Sequence, residues 1–265
     1  MSGKISTRQL LVRTLPLGLA VGVLSGLFGI GGGALLIVGM LAIGFTQHAA
    51  HATSLAAIVV IAAAAVVPFA LDGAIAPMAS LVLVATAMAG AYVGSTLMHR
   101  LSEVWLRRVF IVFLILVAAR MLIGAESAAS GGGAALTGWA IAALAVLGLA
   151  TGMLSSVMGV GGGLLFVPAL VLLFGFSQHT AEGTSLAVVI PTAAVGALRH
   201  ARRGYTDWKI GLLLGLGGLA GGVAGAYLAL ELDGVVLQRL FALFLLVMIA
   251  QLARSGPKDK ARGSD

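Results

Sequence analysis

Cysteine is absent from the 265 residues. That excludes a disulfide framework, a thiolate metal site and a cysteine nucleophile. Charge is scarce too. Only 9% of residues are Asp, Glu, Lys or Arg, against about 25% in an average soluble domain. With 60% of residues hydrophobic, no polar shell can be assembled, so the solvent of this chain is lipid. Catalytic patterns are missing as well: no HExxH and no His/carboxylate cluster at metal-ligand spacing occurs. No nucleophile stands with a base and an orienting acid. The expected reading is therefore not an enzyme, with no cofactor and no metal. The net charge is +7, but the basic residues gather in tails and short loops. That is membrane topology, not nucleic-acid binding.

What is present is a series of apolar segments, at about 15–45, 50–70, 74–98 and 104–124, then 136–175, 181–198, 208–230 and 236–253. Crossing a bilayer takes about 20 residues. The first segment of each set is too long for one ordinary span: 31 residues reach about 46 Å at ~1.5 Å per residue. The two sets form an internal repeat. GVLSGLFGIGGG (22–33) matches GMLSSVMGVGGG (152–163) at seven of twelve positions, and FTQHAAHATSLA (45–56) matches FSQHTAEGTSLA (176–187) at eight of twelve. The resulting divisions are a cytoplasmic tail 1–14, a first transmembrane repeat 15–124, a linker 125–135, a second repeat 136–253 and a cytoplasmic tail 254–265.

Four basic clusters decide the topology: Lys4, Arg8 and Arg13; Arg100, Arg107 and Arg108; Arg199, Arg202, Arg203 and Lys209; Arg254, Lys258, Lys260 and Arg262. If each long first segment crosses once, the clusters near 100 and 202 fall on opposite sides, against the positive-inside rule. If each instead folds back as a hairpin broken at its glycines, all four clusters lie inside. The acidic loops with Asp72, Glu126, Glu182 and Glu231/Asp233 then lie outside. The expected architecture is an all-α polytopic membrane protein of two homologous, inverted halves. Each half is a Gly-broken helical hairpin plus three transmembrane helices. Eight plain spans with parallel repeats are the alternative.

The hairpin geometry brings two glycine tips together near the bilayer midplane. A new helix begins after each tip, so free N–H groups and a positive dipole end face the meeting place. Such a site favours an anion without needing a buried Lys or Arg. The expected amide donors are Gly31, Gly32, Gly33, Gly161, Gly162 and Gly163, with Ser25 and Ser155 near the tips. Close helix packing through small residues is the competing explanation of the glycines. A second constellation is Gln47, His48, Thr53 and Ser54, with its twin Gln178, His179, Thr184 and Ser185. Its side chains are expected either to donate to the same oxyanion or to cap the helices that follow. His51 and Glu182 occupy equivalent places but differ in chemistry, which makes them candidates for coupling a proton to transport.

These paired blocks, with GVGGGLLFVPAL and EGTSL in the second half, resemble the sulfite exporter TauE/SafE family, also described as the toluene-sulfonate uptake permease family. The resemblance covers roughly residues 15–253. The first half departs from it in having Val38 where the second has Pro168, and HATSL for EGTSL. The resemblance implies a bacterial inner-membrane permease for sulfite, sulfonates or related sulfur-containing anions. A secondary transporter of a small oxyanion by alternating access is the expected function. Its partners are that anion, the lipid bilayer and protons as a candidate coupling ion, with no nucleic acid; the oligomeric state is left open. The alternatives are a passive anion channel and a non-transporting structural membrane subunit.

Overall fold

The computed structural model describes residues 7–97, 103–123, 138–158 and 162–254. Among them are ten helices. The first half comprises α1 (Thr7–Phe28), α2 (Gly33–Ala42), α3 (Gln47–Leu71), α4 (Pro77–Leu97) and α5 (Glu103–Ile123). The second comprises α6 (Gly138–Met158), α7 (Gly163–Phe174), α8 (Gln178–Arg202), α9 (Trp208–Glu231) and α10 (Gly234–Arg254). Six are long and apolar enough to cross a bilayer: α3, α4, α6, α8, α9 and α10. The protein is a multi-pass membrane protein.

Both long first segments are broken at their glycines, as the hairpin reading requires. At Gly29, Gly31 and Gly32 the backbone takes φ of 64, 73 and 77°, the left-handed region that a Cβ disfavours. The chain then reverses. Gly32 lies against Val21 and Gly39 against Leu17, so α2 runs back along α1. The arms are unequal, contrary to the two half-helices of similar length suggested by the apolar run. At ~1.5 Å per residue, α1 with its 22 residues extends about 33 Å and α2 with 10 about 15 Å. The polar stretch TRQLLVR joins α1 because nothing in it breaks a helix. In the second half α6 has 21 residues and α7 has 12.

Packing between the halves is reciprocal. The first helix of each half packs on the fourth element of the other: α1 on α9 and α6 on α4. Helix α3 meets α8, and α5 meets α10. Glycine contacts give the directions. Gly18, Gly22 and Gly26 face Leu214, Gly218 and Gly222, so α1 and α9 are parallel. Gly211, Gly215 and Gly222 face Thr53/Ala56, Val60 and Ile61/Ala65, so α3 and α9 are parallel. Gly90 and Gly94 face Leu149 and Met153, so α4 and α6 are parallel. By contrast, Gly183 meets Phe69 and Ala74 while Gly196 meets Leu55, so the equivalent helices α3 and α8 run antiparallel.

One end of the bundle therefore gathers the start of α3, the end of α8 and the start of α9, with Arg199, Arg202, Arg203 and Lys209. The other gathers the end of α3, the start of α8 and the α9–α10 turn, with Asp72, Glu231 and Asp233. At the basic end Arg199 donates from Nη1 to the Tyr92 carbonyl (2.7 Å) and stacks on that ring at 3.6 Å, tying α8 to α4.

Candidate functional site

The first glycine turn touches the start of α7 at the centre of this bundle. A methyl group on Gly163 would stand 2.5 Å from Ile30 Cα, so only glycine admits this approach. Gly31 lies beside Val189 and Ile58, each one residue from the middle of its helix (residue 190 in α8, 59 in α3). The first turn is thus held at the mid-length of the two long helices α3 and α8.

Both turns deliver an uncapped helix start. The N-cap residues are Gly32 (φ 77°) and Gly162 (φ 82°), and neither has a side chain to accept an amide. The first intrahelical bond of α2 is Leu36 N–H to the Gly32 carbonyl (3.0 Å). That leaves the amides of Gly33, Ala34 and Leu35 without an acceptor inside the helix. In α7, Leu165 and Phe166 both donate to the Gly162 carbonyl, leaving Gly163 and Leu164. Gly33, Ala34, Gly163 and Leu164 are all buried. A buried helix start without capping partners demands another acceptor, and the dipole end there favours a negative one. Ser25 strengthens the pattern. It is fully buried, its Cβ lies 3.4 Å from where a Gly32 side chain would stand, and its hydroxyl has no hydrogen-bond partner among the described residues. Its twin Ser155 is also buried. Gly161, with Gly159 and Val160, lies outside the described residues.

The threonines and serines of the second constellation are buried two turns inside their helices and do not begin them. Capping falls to residues seven positions earlier: Thr46 Oγ1 accepts Ala49 N–H at 3.4 Å, and Ser177 Oγ accepts Thr180 N–H at 3.2 Å. Thr and Ser immediately before Gln-His were the signal for this. Thr53 Oγ1 accepts the amide of Asp207 (3.1 Å), and Thr184 Oγ1 accepts that of Ala76 (2.9 Å). Each threonine thus braces the loop that starts a helix of the opposite half. Ser54 donates to the His51 carbonyl (2.9 Å). Ser185 donates to the Gly29 carbonyl (2.8 Å) and fastens α8 to the first glycine turn.

The Gln-His pairs diverge. Gln47 and His48 are exposed at the basic end, where the His48 ring stands 5.8 Å from Tyr205. Gln178 is buried and donates from Nε2 to Glu182 Oε1 at 2.7 Å. His179 is half-buried, with Nε2 at 3.0 and 3.1 Å from the carbonyls of Ala229 and Leu232, where it closes the end of α9. His51 is half-buried, one turn into α3, whereas Glu182 is wholly buried beside Gly29. The Ser185–Gly29 and Gln178–Glu182 links were missed from sequence. The first joins residues 156 positions apart, but the i,i+4 spacing of the second was available.

A model of the sulfite exporter TauE/SafE family matches residues 2–121 and 144–264. A "probable membrane transporter protein" of Xylella fastidiosa (strain Temecula1) is 29% identical over 247 residues, which is 91% of this chain and 94% of the relative. One from Methanocaldococcus jannaschii is 31% identical over 123 residues, 44% of this chain and 46% of that protein. The Bacillus subtilis protein YunE, of the same description, is 32% identical over 128 residues, 44% of this chain and 47% of that protein. The aligned part thus spans about half the length of these last two. No solved structure matches the chain.

Proposed function

As this chain belongs to the sulfite exporter TauE/SafE family, a family of membrane transporters by the names of its relatives, we propose that it is a secondary transporter of a small sulfur-containing oxyanion such as sulfite or an organosulfonate. The single observation that carries this reading is the meeting of two buried, uncapped helix starts at the glycine turns. The anion lies between them and accepts from the amides of Gly31 to Gly33 and Gly161 to Gly163, with Ser25 and Ser155 at the margin. A helix start stabilises a partly buried negative charge by about 0.3–2 kcal/mol, and two opposed starts act on one guest. No Lys or Arg lies in either glycine segment, so the guest enters a site of low fixed charge and can leave it again.

Antiparallel α3 and α8 support inverted repeats, and inverted repeats support rocking of one half against the other around a central site. The basic end faces the cytoplasm by the positive-inside rule, which sets both termini there in a bacterial inner membrane. The Thr53, Thr184 and Ser185 hydroxyls act as braces that keep the turns in place while the halves move. Counterflow in proteoliposomes tests the proposal. Unlabelled sulfite or taurine inside should accelerate entry of the labelled anion. Flux without such acceleration would indicate a channel, and no flux of any sulfur oxyanion would remove transport of this class.

A further inference from the structure

We propose that Glu182, held by Gln178, is the proton site of this transporter, and that its protonation and anion binding at the glycine turns favour one another. This rests on the anion-transport reading above and names its coupling ion.

Glu182 is fully buried in a membrane-spanning helix, where an ionisable group is retained for function and not for packing. Its Oε1 accepts from Gln178 Nε2 at 2.7 Å, and its Oε2 has no partner among the described residues. The Gln178 Oε1 is likewise unpartnered. An amide carries both donors and an acceptor. Gln178 can therefore donate to the carboxylate or, turned over, accept from the carboxylic acid. A residue that serves both forms is suited to a group that cycles between them.

The position links this pair to the turns. A side chain on Gly29 would stand 2.6 Å from Glu182 Cα, so the turn's backbone lies directly on the residue. About one helical turn on, Ser185 donates to the Gly29 carbonyl. The charged and titratable groups at this end, among the described residues, are His179, already held by two carbonyls, Asp72 at the end of α3, Glu231 and Asp233 between α9 and α10, and the exposed Arg120 of α5 and Arg239 of α10. Gly29 of the first turn lies on Glu182, while Phe69 of α3 and Ala74 of the loop after it lie on the adjoining Gly183; none of them is charged. Among the described residues no cation pairs with Glu182.

An ionised Glu182 and a bound anion repel. A negative charge on the order of 10 Å away, across an effective dielectric of ~20, weakens anion binding roughly tenfold. Linkage makes the effect mutual: protonation admits the anion, and the anion holds the proton. The proton is taken from water at the open face, forms an O–H bond on the carboxylate, and returns to water when the opposite face opens. One proton with one sulfonate monoanion moves no net charge.

The test uses the purified full-length protein and methanesulfonate, an anion that does not itself titrate. Calorimetry in buffers of different ionisation enthalpy counts protons taken up per anion bound. Wild type should take up about half a proton at the midpoint of the Glu182 titration, with affinity rising roughly tenfold in all as pH falls through it. Glu182→Gln should bind with no proton uptake and an affinity independent of pH. Gln178→Met, which keeps the carboxyl but removes its orienting amide, should keep the proton uptake and move its midpoint. Wild-type binding without proton uptake overturns the proposal even if Glu182→Gln fails to fold, as does an unchanged pH slope in a folded Glu182→Gln. Absence of binding by sulfite, taurine and methanesulfonate in wild type would overturn the anion-transport reading and this one with it.

Discussion

Thr184 and Thr53 show what a single hydroxyl does here. Each accepts one backbone amide at the entry to another helix, Ala76 before α4 and Asp207 before α9. Thr184→Val keeps the shape and removes the acceptor, leaving a part-buried N–H unmade at a cost of about 1–3 kcal/mol. The expected outcome is a drop of several degrees in thermal unfolding of the detergent-solubilised protein, with Thr184→Ser close to wild type. The repeat marked both threonines as a pair, because ATSLA and GTSLA align. It did not reveal their partners, which lie 154 and 108 residues away; one sequence carries no signal for such a contact. The tip glycines were readable for the opposite reason. Positive φ at Gly29, Gly31, Gly32 and Gly162 is a local demand that only the residue type can meet.

Among the elements, α9 carries the closest packing. One face of it is pressed on α1 and another on α3. Methyl groups on Gly18, Gly22 and Gly26 would run into the carbonyl oxygens of Leu214, Gly218 and Gly222. Such backbone contact replaces the hydrophobic drive that lipid does not provide. Gly22→Val should therefore separate α1 from α9 and lower the unfolding temperature sharply, while Gly138→Ala, with no described atom within 4 Å, should not. Thermal unfolding in detergent checks both. The two explanations of glycine weighed from sequence thus belong to different glycines: packing on α1, α4, α6 and α9, and chain reversal at the turns. The helix positions were legible because apolar runs of about 20 residues have one meaning in lipid. Their ends were less so: α8 runs from Gln178 to Arg202, past the apolar stretch 181–198, because polar residues continue a helix once it leaves the hydrocarbon.

For the whole molecule, equivalent positions lie at opposite ends. Asp72 closes α3 at the acidic end and Arg203 closes α8 at the basic end, although the repeat aligns them. The absence of native cysteine makes single-cysteine labelling clean. Asp72→Cys should react with an impermeant maleimide in intact cells, and Arg203→Cys only in inverted vesicles. Labelling of both from one side would contradict inverted halves. Charge bias is a local property of the loops, legible in one sequence, whereas the meeting of the turns depends on tertiary packing.

The central claim is that two glycine turns bind an anion through their backbone amides at mid-depth. Titration of sulfite and taurine into folded wild type, Gly32→Ala, Gly162→Ala and Gly204→Ala tests it most directly. All three glycines have φ between 76 and 82°, so all three substitutions carry a similar backbone penalty of about 1–2 kcal/mol. Only the first two lie at the turns. The account predicts at least a tenfold loss of affinity, about 1.4 kcal/mol, in Gly32→Ala and Gly162→Ala, and wild-type affinity in Gly204→Ala. Wild-type affinity in all three would contradict it.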